Sequence, residues 1–318
     1  MPAMSANASA KLILLGEHAV VYGEPALAMP FSALRVRVVV EPWIGAPAGR
    51  IHVFARDLDL DQDWRDLPEN NLVREAIVLV LSVLEIQQTP TCKISIFSEI
   101  PVSAGLGASA AITVAIMRAF SAFLGHPLQQ DQLNQLAFQV ETRMHGTPSG
   151  IDNTVIVYEK PIYFRKGFEI EFLKPGQEFT FLVADSGVKK STASTVAQLA
   201  NDRLQNPSYY DPLIEQIGEC ARVGRSALES GNAVVLGEAM NTNQDLLATM
   251  QLSCPELDQL VQAARQSGAL GAKLTGGGKG GHMLALVREE DLDAVRSALL
   301  GTGTRQVYQT TLLAEGNA

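Results

Sequence analysis

The sequence predicts an α/β protein built as two domains or as one large two-layer unit. Its 318 residues are about twice the common domain length. Stretches in which apolar and polar residues alternate with period two, such as Leu34 to Glu41, are interspersed with stretches of helical period, such as Leu133 to Met144. The composition is globular: 47% hydrophobic and 19% charged residues with 26 glycines exclude disorder and collagen-like repeats.

From the start of the chain, Ser9 to Leu15 is an apolar run of β character, and Tyr22-Gly23-Glu24-Pro25 is a turn signal within Ala19 to Met29. Leu34 to Glu41 sets Arg35 and Arg37 against Val36 and Val38, a strand with one wet face. Asn70-Asn71 caps a buried helix that reaches Leu84. Thr91 to Ile100 alternates Lys93, Ser95 and Ser98 with Ile94, Ile96 and Phe97, a strand ended by Pro101. From Gly107 to Leu124 a helix is apolar on nearly every face, so it must be buried. Leu133, Leu136, Ala137, Val140 and Met144 line one side of the next helix, which Gly146 to Gly150 stops.

Phe179 to Asp185 reads as a strand, and Gly187 to Thr192 as a loop capping a helix to Leu204. Asn206-Pro207 and Asp211-Pro212 are breakers, after which three amphipathic helices fill Pro212 to Gly268. The tail reads strand (Ala272 to Thr275), glycine loop, strand (His282 to Arg288), helix (Asp291 to Leu300) and strand (Arg305 to Leu313). A domain boundary is expected between Tyr158 and Gln177, dividing the chain into 1–170 and 171–318.

A net charge of −9, from 25 Lys and Arg against 34 Asp and Glu, disfavours nucleic-acid binding, which needs a basic face. Cys92, Cys220 and Cys254 form no disulfide or zinc pattern, and the five histidines have no metal-ligand spacing. Apolar runs are about half the length of a membrane span, and the N-terminal segment has no secretory signal pattern. The expectation is a reduced, soluble, cytoplasmic protein.

Four segments carry chemistry. Pro101 to Ala111 sets glycines in a tight turn between a strand and a buried helix. Such a turn aims backbone N–H groups and the positive end of a helix at an anion, with Ser109 able to offer a hydroxyl to phosphate or magnesium. No Gly-Lys-Ser/Thr follows, so this is not a Walker loop; the alternative is close strand-to-helix packing. In the second segment a Gly-Thr-Pro-Ser-Gly turn separates Glu141 from Asp152, and it can fold one carboxylate back toward the other. Paired carboxylates suit a division of labour between a hard cation and a proton, the alternative being a solvated Glu and an N-cap Asp. Third, Lys11 is the one cation of an apolar strand ahead of Gly16-Glu17-His18, either snorkelling from an edge or serving as a buried ammonium. Fourth, Gly276 to Gly281 holds five glycines in six positions, more than a hairpin needs, which points to a ligand or backbone approaching closely. Within it Lys279 adds charge toward a phosphate or faces solvent. Lys189 and Lys190 read as a wet loop.

Taken together, Lys11 to Gly23, Pro101 to Ala111 and Leu274 to Gly281 resemble the three motifs of the GHMP kinase superfamily, in order and across almost the whole chain. Within it, Lys11 to Gly23 and His145 to Asn153 are most similar to the mevalonate kinase branch. The resemblance implies a β-rich N-terminal domain and an α+β C-terminal domain with a cleft between them. It implies ATP and Mg²⁺ as cofactors, transfer to the C5 hydroxyl of mevalonate, and a small-molecule partner with no nucleic acid and no membrane. A homodimer is compatible with it.

By resemblance, Asp152 is the general base and Lys11 lies beside it to stabilise the developing alkoxide. Glu17, His18 and Thr192 match substrate positions, with His18 and Lys11 toward the carboxylate or hydroxyls. Pro101, Ser103, Ala104, Gly105, Leu106, Gly107, Ala108, Ser109, Gly276 and Gly277 match ATP positions, and Ser109 and Glu141 the Mg²⁺ ligands. Four departures stand out: Ala108 replaces a frequent Ser, Gly277 stands where Ala is more usual, and Lys279 and His282 stand where glycine and a small residue or Cys are usual. Related readings are a kinase for phosphomevalonate or for another hydroxy acid or sugar-like alcohol. A non-catalytic binding protein on the same scaffold is disfavoured because Lys11, Ser109, Glu141 and Asp152 are all present.

Overall fold

A computed structural model describes residues 2–101, 105–145 and 148–314, and two long strands carry the chain through two separately clustered units. These strands, β1 (Met4–Leu15) and β2 (Ala26–Pro42), pair with each other. One unit gathers Met1–Ala10, Leu34–Val102 and Gly107–Glu159; the other gathers Lys11–Ala33, Ser103–Leu106 and Lys160–Ala318. The mixed α/β character matches the expectation.

In the first unit β5 (Cys92–Ser98) lies antiparallel to the second half of β2 and parallel to β3 (Ile51–Ala55), whose outer neighbour is β4 (Leu60–Asp63). Val36, Val38, Val40, Ile94, Ile96, Ile51 and Val53 are buried as the strand period demands. Phe97, grouped with the inward residues by composition, is instead 50% exposed, because strict alternation sets it with Lys93 and Ser95. Strands β3 and β4 have no counterpart among the predicted elements.

Helices α1 (Leu72–Val83), α2 (Ala108–Phe123), α3 (Gln130–His145) and α4 (Ile151–Tyr158) belong to this unit. Asn71 caps α1, its Oδ1 accepting from Val73 N at 2.9 Å. From α2, the Arg118 guanidinium donates to Val157 O at 2.7 Å and to Asn7 O at 2.8 Å. It thereby satisfies a carbonyl that the end of α4 leaves without a helical partner.

The second unit begins with the first half of β2, paired with β6 (Ile162–Phe164), which pairs with β7 (Glu171–Phe172). Both faces of Ala26–Met29 are covered, so no alternation reveals this part of the strand in the sequence. A four-stranded antiparallel sheet runs in the order β11-β8-β10-β9, comprising β8 (Phe179–Asp185), β9 (Gly271–Thr275), β10 (His282–Val287) and β11 (Val307–Leu312). Helices α5 (Thr192–Gln205), α6 (Pro207–Glu229), α7 (Ala233–Thr249), α8 (Pro255–Gln266) and α9 (Leu292–Gly301) complete it.

Pro212 does not break the chain as expected, for α6 runs through it from Pro207. Pro207 sits at the first helical position, where its missing N–H costs nothing, and Pro212 follows so early that only one main-chain bond is forfeited. Strand β9 ends its sheet, and α7 covers that edge with side-chain amides. Asn241 Oδ1 accepts from Ala272 N at 3.0 Å, and Gln244 Oε1 from Leu274 N at 2.8 Å. Residues three apart on one helix thus reach alternate N–H groups of one strand, which closes an edge otherwise open to pairing.

Candidate active site

In the first unit the side chains of interest stand on three helices. Ser109 is in the first turn of α2, Glu141 in the last turns of α3 and Asp152 in the first turn of α4. Ser109 Oγ donates to Glu141 Oε1 at 2.6 Å, and Glu141 is buried, so it is no solvated helix end. Asp152 is half-buried and is the acidic residue of its first turn, favourably placed for the helix dipole. Gly107, at φ 78, precedes α2 without a side-chain cap, as suits a helix start that meets an anion.

Ser109 and Glu141 offer adjacent oxygen donors, which fit a hard cation such as Mg²⁺ that fills its remaining positions with water and phosphate. Among the described residues no group of three or more His, Cys, Asp and Glu gathers around a common point. Ser103 and Ala104 of the first glycine turn, and Gly146 and Thr147 of the second motif, lie outside the described residues. Pro101, Leu106 and Ala108 are described, with Leu106 O accepting from Lys11 N at 3.0 Å.

In the second unit Lys11 is 3% exposed, so it does not snorkel from an edge. Thr275 Oγ1 bridges both main-chain groups of Ile13 at 3.0 Å, fixing β1 just before Gly16. Gly16 N donates to Asn243 Oδ1 at 3.0 Å. His18 Nε2 donates to Gly277 O at 3.0 Å, which leaves Nδ1 as the lone-pair nitrogen of the neutral ring. A ring in that state accepts from a hydroxyl and offers nothing to a carboxylate.

His18 has φ 62 and ψ −45, and Ala19 N donates back to Glu17 O at 2.7 Å. Glu17-His18-Ala19 is therefore a γ-turn of the rare, strained hand, a conformation costing on the order of 1–3 kcal/mol.

Sequence reasoning did not single out Lys273. It is fully buried and pairs with the equally buried Glu17 carboxylate, while its Nζ also donates to Leu274 O at 2.6 Å. Burial pushes the Glu17 carboxyl up and the Lys273 ammonium down, each opposed by the partner's charge. The signal that could have found Lys273 is the one that marked Lys11: a single cation in a strand with both faces covered.

The glycine loop is explained by close neighbours. A Cβ at Gly276 would stand 2.7 Å from Gly105 O, and one at Gly277 would stand 2.8 Å from Thr192 Oγ1. The structure thus brings Gly105, Gly276, Gly277 and Thr192 together, with Thr192 exposed at the start of α5. Lys279 Nζ donates to Gln198 Oε1 at 2.8 Å, and His282 is buried at the start of β10.

Burial pushes the His18 ring down from 6.5 to about 4. A lowered folded value means that this contribution to stability is complete above pH 6.5 and is lost as pH falls toward 4. Wild type should therefore lose about 3 kcal/mol relative to His18→Gln between pH 7 and pH 4. Denaturant melts of the two proteins check this, and parallel stability curves would contradict it.

The chain matches the family model "GHMP kinases N terminal domain" over residues 71–160 and "GHMP kinases C terminal" over residues 225–303. It is 34% identical over 322 residues to the mevalonate kinase of Pyrococcus abyssi, covering 95% of this chain and 94% of that one. The crystal structure of the Methanococcus jannaschii mevalonate kinase superposes with a TM-score of 0.85 at 27% identity, covering 98% of both chains. That of the L. major mevalonate kinase in complex with R-mevalonate gives 0.81 at 30% identity, covering 98% of this chain and 96% of that one. The chain belongs to the GHMP kinase family. It is a kinase, an enzyme that uses ATP, and it has the mixed α/β two-domain fold of that family. No helix among the described residues is long and apolar enough to cross a membrane.

Proposed function

We propose that the protein transfers the γ-phosphoryl group of ATP to the C5 hydroxyl of mevalonate, giving mevalonate 5-phosphate and ADP. The observation that carries this reading is the Ser109–Glu141 hydrogen bond at 2.6 Å at the uncapped start of α2, with Asp152 in the first turn of α4 in the same unit. Full-length likeness to mevalonate kinases, one of them solved with R-mevalonate, supports the choice of alcohol.

Phosphoryl transfer asks a protein for positioning and charge neutralisation more than for covalent chemistry. In this reading Asp152 accepts the proton of the attacking hydroxyl, and the Lys11 ammonium stabilises negative charge on that oxygen. The N–H groups at Gly105 to Ser109, with Gly276 and Gly277, hold the phosphates. His18 and Glu17 receive the other hydroxyl of the substrate, and Thr192 stands at the reacting end. Ser109 and Glu141 would hold Mg²⁺, which when bound neutralises phosphate charge.

ADP release with Mg-ATP, followed across R-mevalonate, phosphomevalonate, other hydroxy acids and sugars, tests the reading. Turnover with mevalonate at the highest kcat/KM is expected. Turnover with another alcohol and none with mevalonate would overturn the choice of substrate. Glu141→Gln should raise the Mg²⁺ concentration for half-maximal rate by about tenfold or more. An unshifted magnesium titration would remove Glu141 from the metal site.

A further inference from the structure

The γ-turn at Glu17-His18-Ala19 persists only because its surroundings hold it. Its anchors all belong to the second unit: Asn243 on Gly16, Gly277 O on the His18 ring, and Lys273 on the Glu17 carboxylate. Only the last is an ion pair, and both of its side chains are fully buried. Lys273 is itself set in place, because the α7 amides grip the N–H groups of Ala272 and Leu274 on either side of it.

The turn is tied down at one end and incomplete at the other. Glu17 Oε2 and His18 Nδ1 are buried and have no hydrogen-bond partner among the described residues. Both atoms are acceptors, so the groups that complete them are donors. A hydroxyl on the substrate is the donor that the proposed reaction brings.

We propose that Lys273 is a positioning residue: its ammonium latches the Glu17 carboxylate so that the strained Glu17-His18-Ala19 turn offers its two acceptors to a hydroxyl of the alcohol substrate. The inference rests on the reading that this turn serves the mevalonate side of the reaction. Lys273 does not touch the reacting atoms; it acts through Glu17.

The test compares Lys273→Met, the double variant Glu17→Gln/Lys273→Met and His18→Asn, each with steady-state kinetics in both substrates and a thermal melt. Lys273→Met should raise KM for mevalonate by at least about tenfold while KM for ATP stays within about twofold. The double variant leaves no buried charge unpaired, so it should recover most of the lost melting temperature yet keep the raised KM for mevalonate. It also carries the test alone if Lys273→Met does not fold. A double variant with wild-type KM for mevalonate, alongside a raised KM in His18→Asn, overturns the latch and leaves the pair a purely structural one. Wild-type KM for mevalonate in His18→Asn overturns the reading of the turn itself, and the latch falls with it.

Discussion

Asp152→Asn is expected to lower kcat by roughly a thousandfold or more, the upper part of the range for losing a positioned general base. This corresponds to about 4 kcal/mol of lost transition-state stabilisation. Asn keeps the shape of the side chain and much of its hydrogen-bonding capacity, but it cannot take the proton of the attacking hydroxyl. The loss should therefore fall on kcat, with KM for either substrate changed little. Asp152 occupies the first turn of α4, where an anion gains about 0.3–1 kcal/mol from the helix dipole, so the melting temperature should drop only slightly. Rapid-quench measurement of a single turnover separates the chemical step from product release. A variant within tenfold of wild type would remove Asp152 from the role of base.

Lys11→Met should cost about a hundred- to a thousandfold in kcat, the range for removing one group that stabilises charge developing in a transition state. Lys11 is buried in β1, and Met is an unbranched side chain of similar length, so the strand should keep its packing. Lys11→Arg is a second probe. A guanidinium keeps the charge but is planar and larger, so poor recovery of activity by Arg would show that a compact ammonium is required at this position. Wild-type rates in Lys11→Met would end its assignment to the reacting oxygen.

The helix α2 and the long amphipathic α3 were legible because one is apolar on nearly all faces and the other keeps a clean helical period. Helix α4 was not. Val155, Ile156 and Val157 favour a strand by intrinsic preference, and Gly150, at φ 92, starts the helix without a side-chain cap that the sequence would advertise. Tertiary packing decides there, since Ile151, Val155, Ile156 and Val157 are all buried.

The site divides in the same way. Lys11 and the two glycine loops were visible as local anomalies. Ser109 and Glu141 were brought to one metal site only by resemblance, since 32 residues separate them along the chain. Lys273 escaped because its partner Glu17 lies 256 residues away and no local pattern links them. Asn243 and Gln244 carry no local pattern that sets them apart from other polar residues of an amphipathic helix, yet both are buried and hold main-chain groups.

The bridge from Thr275 to Ile13 joins residues 262 positions apart, and this bears on when the Gly16-Glu17-His18 turn can form. On the ribosome, residues 11–33 emerge early but belong to the unit whose other large segment begins at Lys160. Their anchors, Asn243, Lys273, Thr275 and Gly277, are synthesised last among the groups that hold them. The first unit can close once Glu159 has emerged, since its segments all precede that point. Segment 11–33 can pair with β6 once Phe164 has emerged, but the anchors of its turn come later still, and such long-range closure is the slow kind. Nascent chains halted before Gly271 should therefore lack a formed turn and show no activity.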